Sequence, residues 1–353
     1  MHSIMQAVVY HAPGDIRVEE IAKPECRQGE LLVRADACAV CGTDLKSKLH
    51  GNARIKAPLV MGHEFTGIVE AASPDAVGGF APGDRVVMAT TIACGQCFYC
   101  QRGWRNLCEN LAPMGFSYPG GMAEYTAIPA LALEGGHVIK VPKHVEAEHA
   151  ALAEPVSCAV NSIRQSNVQQ GDTVLVMGAG PMGLLNALVA RAAGAAVVLL
   201  SEPNPLRRKQ AEQFDLDWIL DPETDDVLQI VHGATEGRGA DVVIVAAPAV
   251  QPQEQALSLV RRRGSVCLFA SLPIGKSMLA IDSRILHYGE IRLVSSSDST
   301  PEHVREAVEI IATKQIPVDK VVSHCLPLGE IDRAFALMMS GEALRVVLVC
   351  SIL

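Results

Sequence analysis

The side chains best suited to chemistry in this chain are sulfur and imidazole donors at metal-binding spacing. Cys94, Cys97, Cys100 and Cys108 fall in the run CGQCFYCQRGWRNLC, as C-x2-C-x2-C-x7-C. Thiolates this close repel one another unless a cation takes up their charge. Zn²⁺ does so with four sulfurs at tetrahedral geometry and keeps no open position. The spacing therefore predicts a structural zinc that holds a lobe together. Two disulfides are the competing reading. The other seven cysteines are scattered, and the opening run MHSIMQAVVYHAPG reads as strand with no signal-peptide pattern, which weighs against them.

A second constellation is looser. Cys41 lies in CAVCGTDLK, and His63 with Glu64 in VMGHEFTG. One thiolate and one imidazole make half of a zinc site, and a carboxylate plus a water would complete a catalytic one with an open fourth position. Two carboxylates compete for the third place, Glu64 and Glu154 in ALAEPVSCAV. Asp44 is placed to orient the ring of His63. On residue type alone a lone Cys and a lone His are more often core packing, so spacing by itself leaves this site open.

The third constellation is GAGPMG, Gly178–Gly183, which includes Pro181 and Met182. Gly178 permits a tight turn, Gly180 lets the backbone approach a pyrophosphate at a helix N-terminus, and Gly183 lets that helix pack on the preceding strand. Glu202 follows at the end of the next apolar run, where a carboxylate accepts hydrogen bonds from ribose hydroxyls and repels a 2′-phosphate. NAD is favoured over NADP on this ground, with Arg207 and Arg208 close enough to soften the preference.

These residues need elements to position them. Up to about residue 155 the text is short β-type runs punctuated by Gly and Pro, such as Gln6–Tyr10, Glu30–Ala37, Phe65–Glu70 and Asp84–Thr90, which predicts an irregular antiparallel domain. From Thr173 strands alternate with helices, which predicts a parallel doubly wound sheet. Helices are expected over Pro301–Thr313 and Leu328–Met339, and a last strand over Leu344–Val349. At 353 residues, 49% hydrophobic and 20% charged, the chain suits two globular domains. A net charge of −9 argues against nucleic acid, and no apolar run is long enough to span a membrane. Eleven cysteines fit a reducing, cytoplasmic compartment.

Taken together, G-H-E at Gly62–Glu64, Cys41-Gly42-Thr43-Asp44, the four-cysteine run, PGDRV at Pro82–Val86 and GAGPMG make the chain resemble the zinc-containing medium-chain dehydrogenases over essentially its whole length. EPVSCAVNS at Glu154–Ser162 resembles the polyol, sorbitol-type branch. The resemblance implies an α/β fold, with a GroES-like irregular β catalytic domain over 1–156 and 298–353 and a Rossmann domain over 157–297. It implies two zinc ions per chain, with Cys41, His63 and Glu154 as ligands of the catalytic one and Glu64 beside them. It also implies a contact from Arg345 to the cofactor pyrophosphate, and proton transfer from the alcohol through Thr43. A dimer or tetramer is expected.

The chain departs from the family pattern in places. Ser73 stands where a Gly or Ala is usual. Lys46 replaces a proton-passing histidine, either ending the relay or meeting an anion of cofactor or substrate. The arginine that sorbitol-type enzymes place near Ser295–Thr300 is missing. The expected reaction is hydride transfer between NAD and a secondary alcohol of a polyol or sugar-derived compound. Oxidation of an amino alcohol such as threonine is the nearest alternative, and a retired nucleotide-binding protein the alternative of another class.

Overall fold

The computed structural model describes residues 3–350; residues 1–2 and 351–353 of the expected outer domain lie outside them. The chain is α/β and folds as two compact units. One runs to Ser157 and resumes at Asp298, and the other is Cys158–Ser297.

The first unit is built on a largely antiparallel sheet. Its order is Val138–Lys140, Arg85–Met88, Glu64–Ala72, Leu31–Ala39, Val346–Val349 and His324–Pro327, with Tyr125–Ile128 also pairing to Leu31–Ala39. The central strand Leu31–Ala39 reads LLVRADACA and is buried along nearly its whole length. Small Ala and Cys side chains there let both faces be covered, and Phe65, Met88, Met122, Phe335 and Leu348 close around it. Two edges of the expected elements shift. Leu328–Glu330 is a 3-10 turn and the α-helix is Ile331–Ser340. The last strand starts at Val346, because the amides of Leu344 and Arg345 donate to Ser323 Oγ, at 2.9 and 3.1 Å, instead of to a ladder.

The second unit carries six parallel strands in the order Trp218–Leu220, Val197–Ser201, Thr173–Met177, Ala240–Val245, Val260–Leu268 and Arg292–Ser295. In chain sequence this is 3-2-1-4-5-6, the doubly wound order whose first strand meets the topological switch point. Thr173–Met177 is buried throughout, as a strand covered on both faces must be. Its C-terminal end delivers the glycine loop to helix Pro181–Ala192.

Candidate functional site

Strand pairing assembles the first site. In the ladder between Leu31–Ala39 and Glu64–Ala72, Ala39 stands opposite Glu64. Cys41, just past one strand, and His63, just before the other, therefore reach the same end of the sheet. Gly62 makes the approach of His63 possible. It has φ 94°, and a Cβ there would lie 2.6 Å from Met122 Cγ and 2.7 Å from Cys38 Sγ, so only glycine fits. Cys41 is the N-cap of helix Gly42–His50, and Asp44 Oδ2 accepts its backbone N–H at 2.9 Å. The other Asp44 oxygen stands 3.6 Å from His63 Nδ1. At that distance the pair is electrostatic and falls short of a hydrogen bond, and Nδ1 is buried without a hydrogen-bond partner. The ligand atoms of Cys41, His63 and Glu64 all lie within 4.8 Å of one another.

The surroundings are crowded with charge. Arg345 Nη2 donates to both oxygens of Glu64, and the two side chains are only 3% and 2% exposed. Glu154, half-buried in the first turn of helix Ala153–Ser166, stands outside the three-residue set. Burial, reinforced by the charge of Glu64, pushes its carboxyl up to about 7, while His63 pulls the other way. Burial opposes charging the His63 ring, yet Cys41 and Asp44 outweigh it and hold the ring well above the usual histidine range. Sulfur, imidazole and carboxylate donors thus converge where anionic groups outnumber cations, and this donor set fits zinc. Thr43 is half-buried on the same helix, and Lys46, one turn on, is exposed.

The four-cysteine lobe is compact. The sulfurs of Cys94, Cys97, Cys100 and Cys108 lie within 4.8 Å of one another, and all eleven cysteines are free thiols. Cys97 Sγ is 3.5 Å from that of Cys100 and 3.8 Å from that of Cys108, which is contact without a disulfide. Amides of Gln96 and Cys97 hold the Cys94 thiol down to about 6, and burial pushes Cys100 up to about 12. Four converging thiols match the donor set of a closed tetrahedral site.

In the second unit Gly178 has φ 109°, and a Cβ on Gly183 would sit 1.8 Å from the Gly178 carbonyl oxygen. Gly180 caps the helix that starts at Pro181 and Met182. Glu202 is buried at the end of strand Val197–Ser201, accepting the Ala179 amide at 2.7 Å and that of Asn204 at 2.9 Å. Its carboxylate therefore fixes the glycine loop from behind. Arg207 Nη1 stands 3.9 Å from it.

Comparison with known proteins identifies the family of the chain. Residues 27–143 match the alcohol dehydrogenase GroES-like domain, and residues 181–313 the zinc-binding dehydrogenase domain. An erythritol/L-threitol dehydrogenase of Mycolicibacterium smegmatis is 33% identical over 98% of this chain and 97% of its own. The L-threonine 3-dehydrogenase of Pyrococcus horikoshii is 32% identical over 98% and 99%. A zinc-binding dehydrogenase of Sinorhizobium meliloti, crystallised with NADP, superposes with a TM-score of 0.91 at 32% identity, covering 98% and 99%. The chain belongs to the zinc-dependent medium-chain dehydrogenases. As a dehydrogenase of this family it is a zinc-dependent alcohol oxidoreductase that uses a nicotinamide dinucleotide.

Two residues of this dehydrogenase escape a sequence reading. Asp298 is half-buried with φ 51°, and its carboxyl is pushed up by burial while Arg54 and His63 pull it back. His137 is 1% exposed beside the cysteine lobe. Its Nδ1 donates to the Ala89 carbonyl at 3.0 Å, and Nε2 accepts the Ala93 amide at 3.3 Å, one residue before Cys94. The second bond needs the neutral ring, and burial pushes the ring down to about 4 against the opposing pull of the Ala89 carbonyl. Its folded-state value lies below the ordinary 6.5, so its contribution is present above pH 6.5 and is lost as pH falls toward 4. The gap corresponds to at most about 3 kcal/mol. Thermal midpoints measured from pH 7 to 4.5 are expected to fall less steeply for His137→Gln, from a lower start, than for the parent.

Proposed function

We propose that this dehydrogenase oxidises a secondary alcohol of a polyol or sugar-derived compound with NAD. The observation that carries the reading is the convergence of Cys41, His63 and Glu64 beside Thr43. Cys41 and His63 hold the catalytic zinc. Both Glu64 oxygens already accept from Arg345, which weakens them as donors and favours Glu154 as the third ligand. As the side chains stand, Glu64 is the nearer carboxylate, and it keeps its place beside the metal.

When bound, the zinc supplies Lewis acidity toward the alcohol oxygen, and the dinucleotide accepts the hydride. The chain's own residues do the rest. Asp44 fixes the His63 ring. Thr43 takes the alcohol proton at its hydroxyl and passes it toward solvent, with Lys46 at the exposed end of that route. Gly178, Gly180 and Gly183 admit the pyrophosphate, with Arg345 as the further contact expected from the family pattern. Glu202 favours NAD, because its carboxylate repels a 2′-phosphate and Arg207 is already drawn toward it.

Oxidation of an amino alcohol is the second reading, supported by the likeness to the threonine enzyme. A panel of polyols, sugar acids and amino alcohols, followed by NADH absorbance and repeated with NADP, separates them. Polyol turnover with NAD at least about tenfold ahead of NADP in kcat/KM is expected. Amino-alcohol turnover alone would overturn the substrate reading.

Assembly as a dimer or tetramer is supported by strand Arg292–Ser295, which ends the parallel sheet, and by the exposed Ile285, Tyr288 and Leu293. No helix among the described residues is long and apolar enough to cross a membrane. Eleven free cysteines suit a cytoplasmic setting.

A further inference from the structure

Between Asp44 and Glu64 this acidic chain carries Lys46, Lys48, Arg54 and Lys56, with no Asp or Glu. A net charge of −9 makes so one-sided a segment unusual, and it runs directly into the metal-binding histidine. Lys48 is committed to Asp332. Lys46, Arg54 and Lys56 are exposed, and Arg54 acts on the half-buried carboxyl of Asp298.

Arg54 is the best placed of the three. Its backbone amide donates to Asn52 Oδ1 at 3.1 Å, and Asn52 is tied to the helix through Ser47 Oγ at 3.4 Å. The guanidinium carbon lies 5.1 Å from the centroid of the Phe116 ring, and that ring lies 5.2 Å from the ring of His63. Phe116 is buried and its ring is tilted 51° to that of His63, so two ring contacts in series lead from His63 to a solvent-facing cation. Asp298 is the acidic group on which both Arg54 and His63 act. The next residue, Ser299, accepts from Ser157 Oγ at 2.7 Å, and Ser157 Oγ also meets the Glu154 carbonyl at 2.5 Å.

We propose that the substrate is an alcohol with an oxyanion terminus, a carboxylate or a phosphate monoester, and that Arg54, held on Phe116, binds that terminus while the hydroxyl group lies at the His63 end of the stack. This rests on the dehydrogenase reading above and narrows it. A guanidinium presents its N–H donors in a fork that matches both oxyanions, and the contact with the Phe116 ring restrains where that fork lies. Lys46 and Lys56 raise the local concentration of anions without fixing their geometry.

The test uses matched probes: sorbitol, gluconate and sorbitol 6-phosphate, with xylitol, xylonate and xylitol 5-phosphate as a second set. Kinetics are measured on the zinc-loaded parent, Arg54→Gln and Arg54→Lys, and calorimetric binding of each probe on the enzyme–NADH complex. In the parent at least one anionic probe is expected to bind about tenfold or more tighter than its neutral counterpart, and the favoured set separates carboxylate from phosphate. Arg54→Gln raises KM and Kd for that anion by a similar factor, leaves kcat within about twofold, and leaves the neutral polyols unchanged; Arg54→Lys recovers part of the loss. Equal binding of charged and neutral probes by the parent overturns the inference, and so does an equal effect of Arg54→Gln on both. If neutral polyols are oxidised without any anion preference, only this inference falls. If no probe is oxidised, the polyol reading falls and this inference with it.

Discussion

Cys41→Ala lowers kcat/KM for alcohol oxidation by roughly 10³-fold or more while leaving the chain folded. The thiol is one of the converging donors, and under the proposed ligation a zinc that would polarise the alcohol would be lost or misplaced without it. Several kcal/mol of barrier lowering go with it, and each 1.4 kcal/mol is about tenfold in rate. The fold is expected to survive, because Cys41 adds little packing and helix Gly42–His50 keeps its Asp44 contact at the cap. Circular dichroism and dinucleotide binding should match the parent, since the glycine loop lies wholly in Cys158–Ser297. A variant that retains more than a tenth of the parent rate would remove Cys41 from the chemistry.

Arg345→Met has the largest expected effect on stability. It leaves the Glu64 carboxylate buried at 2% exposure with its guanidinium partner gone. Removing one member of a buried pair costs about 3–5 kcal/mol, chiefly because the remaining charge is stranded. Denaturant midpoints should fall accordingly. The double variant Glu64→Gln with Arg345→Met should recover a substantial part of the loss, because a neutral amide is less costly to bury. No recovery would mean that Arg345 acts through packing of its stem instead of through charge.

How much of this was legible in the chain differs by element. Thr173–Met177 and the glycine turn are readable because a β-branched run, a required positive φ at Gly178 and a close approach at Gly183 all act within a few residues. The four-cysteine lobe is readable for the same local reason. The pair of Cys41 and His63 is readable only in part: a strand ladder joins them, and its register is a tertiary fact. The ion pair of Glu64 with Arg345 spans 281 residues and leaves no spacing signal. His137 and Asp298 are silent for a different cause. Their behaviour comes from burial, and a single His or Asp in a sequence does not disclose its surroundings.

The account rests on two metals per chain, one closed and one catalytic, and zinc analysis of the purified protein tests this most directly. About two zinc per chain is expected for the parent and about one for His63→Ala, the remaining ion staying with Cys94, Cys97, Cys100 and Cys108. A single zinc in the parent that His63→Ala leaves unchanged would contradict it.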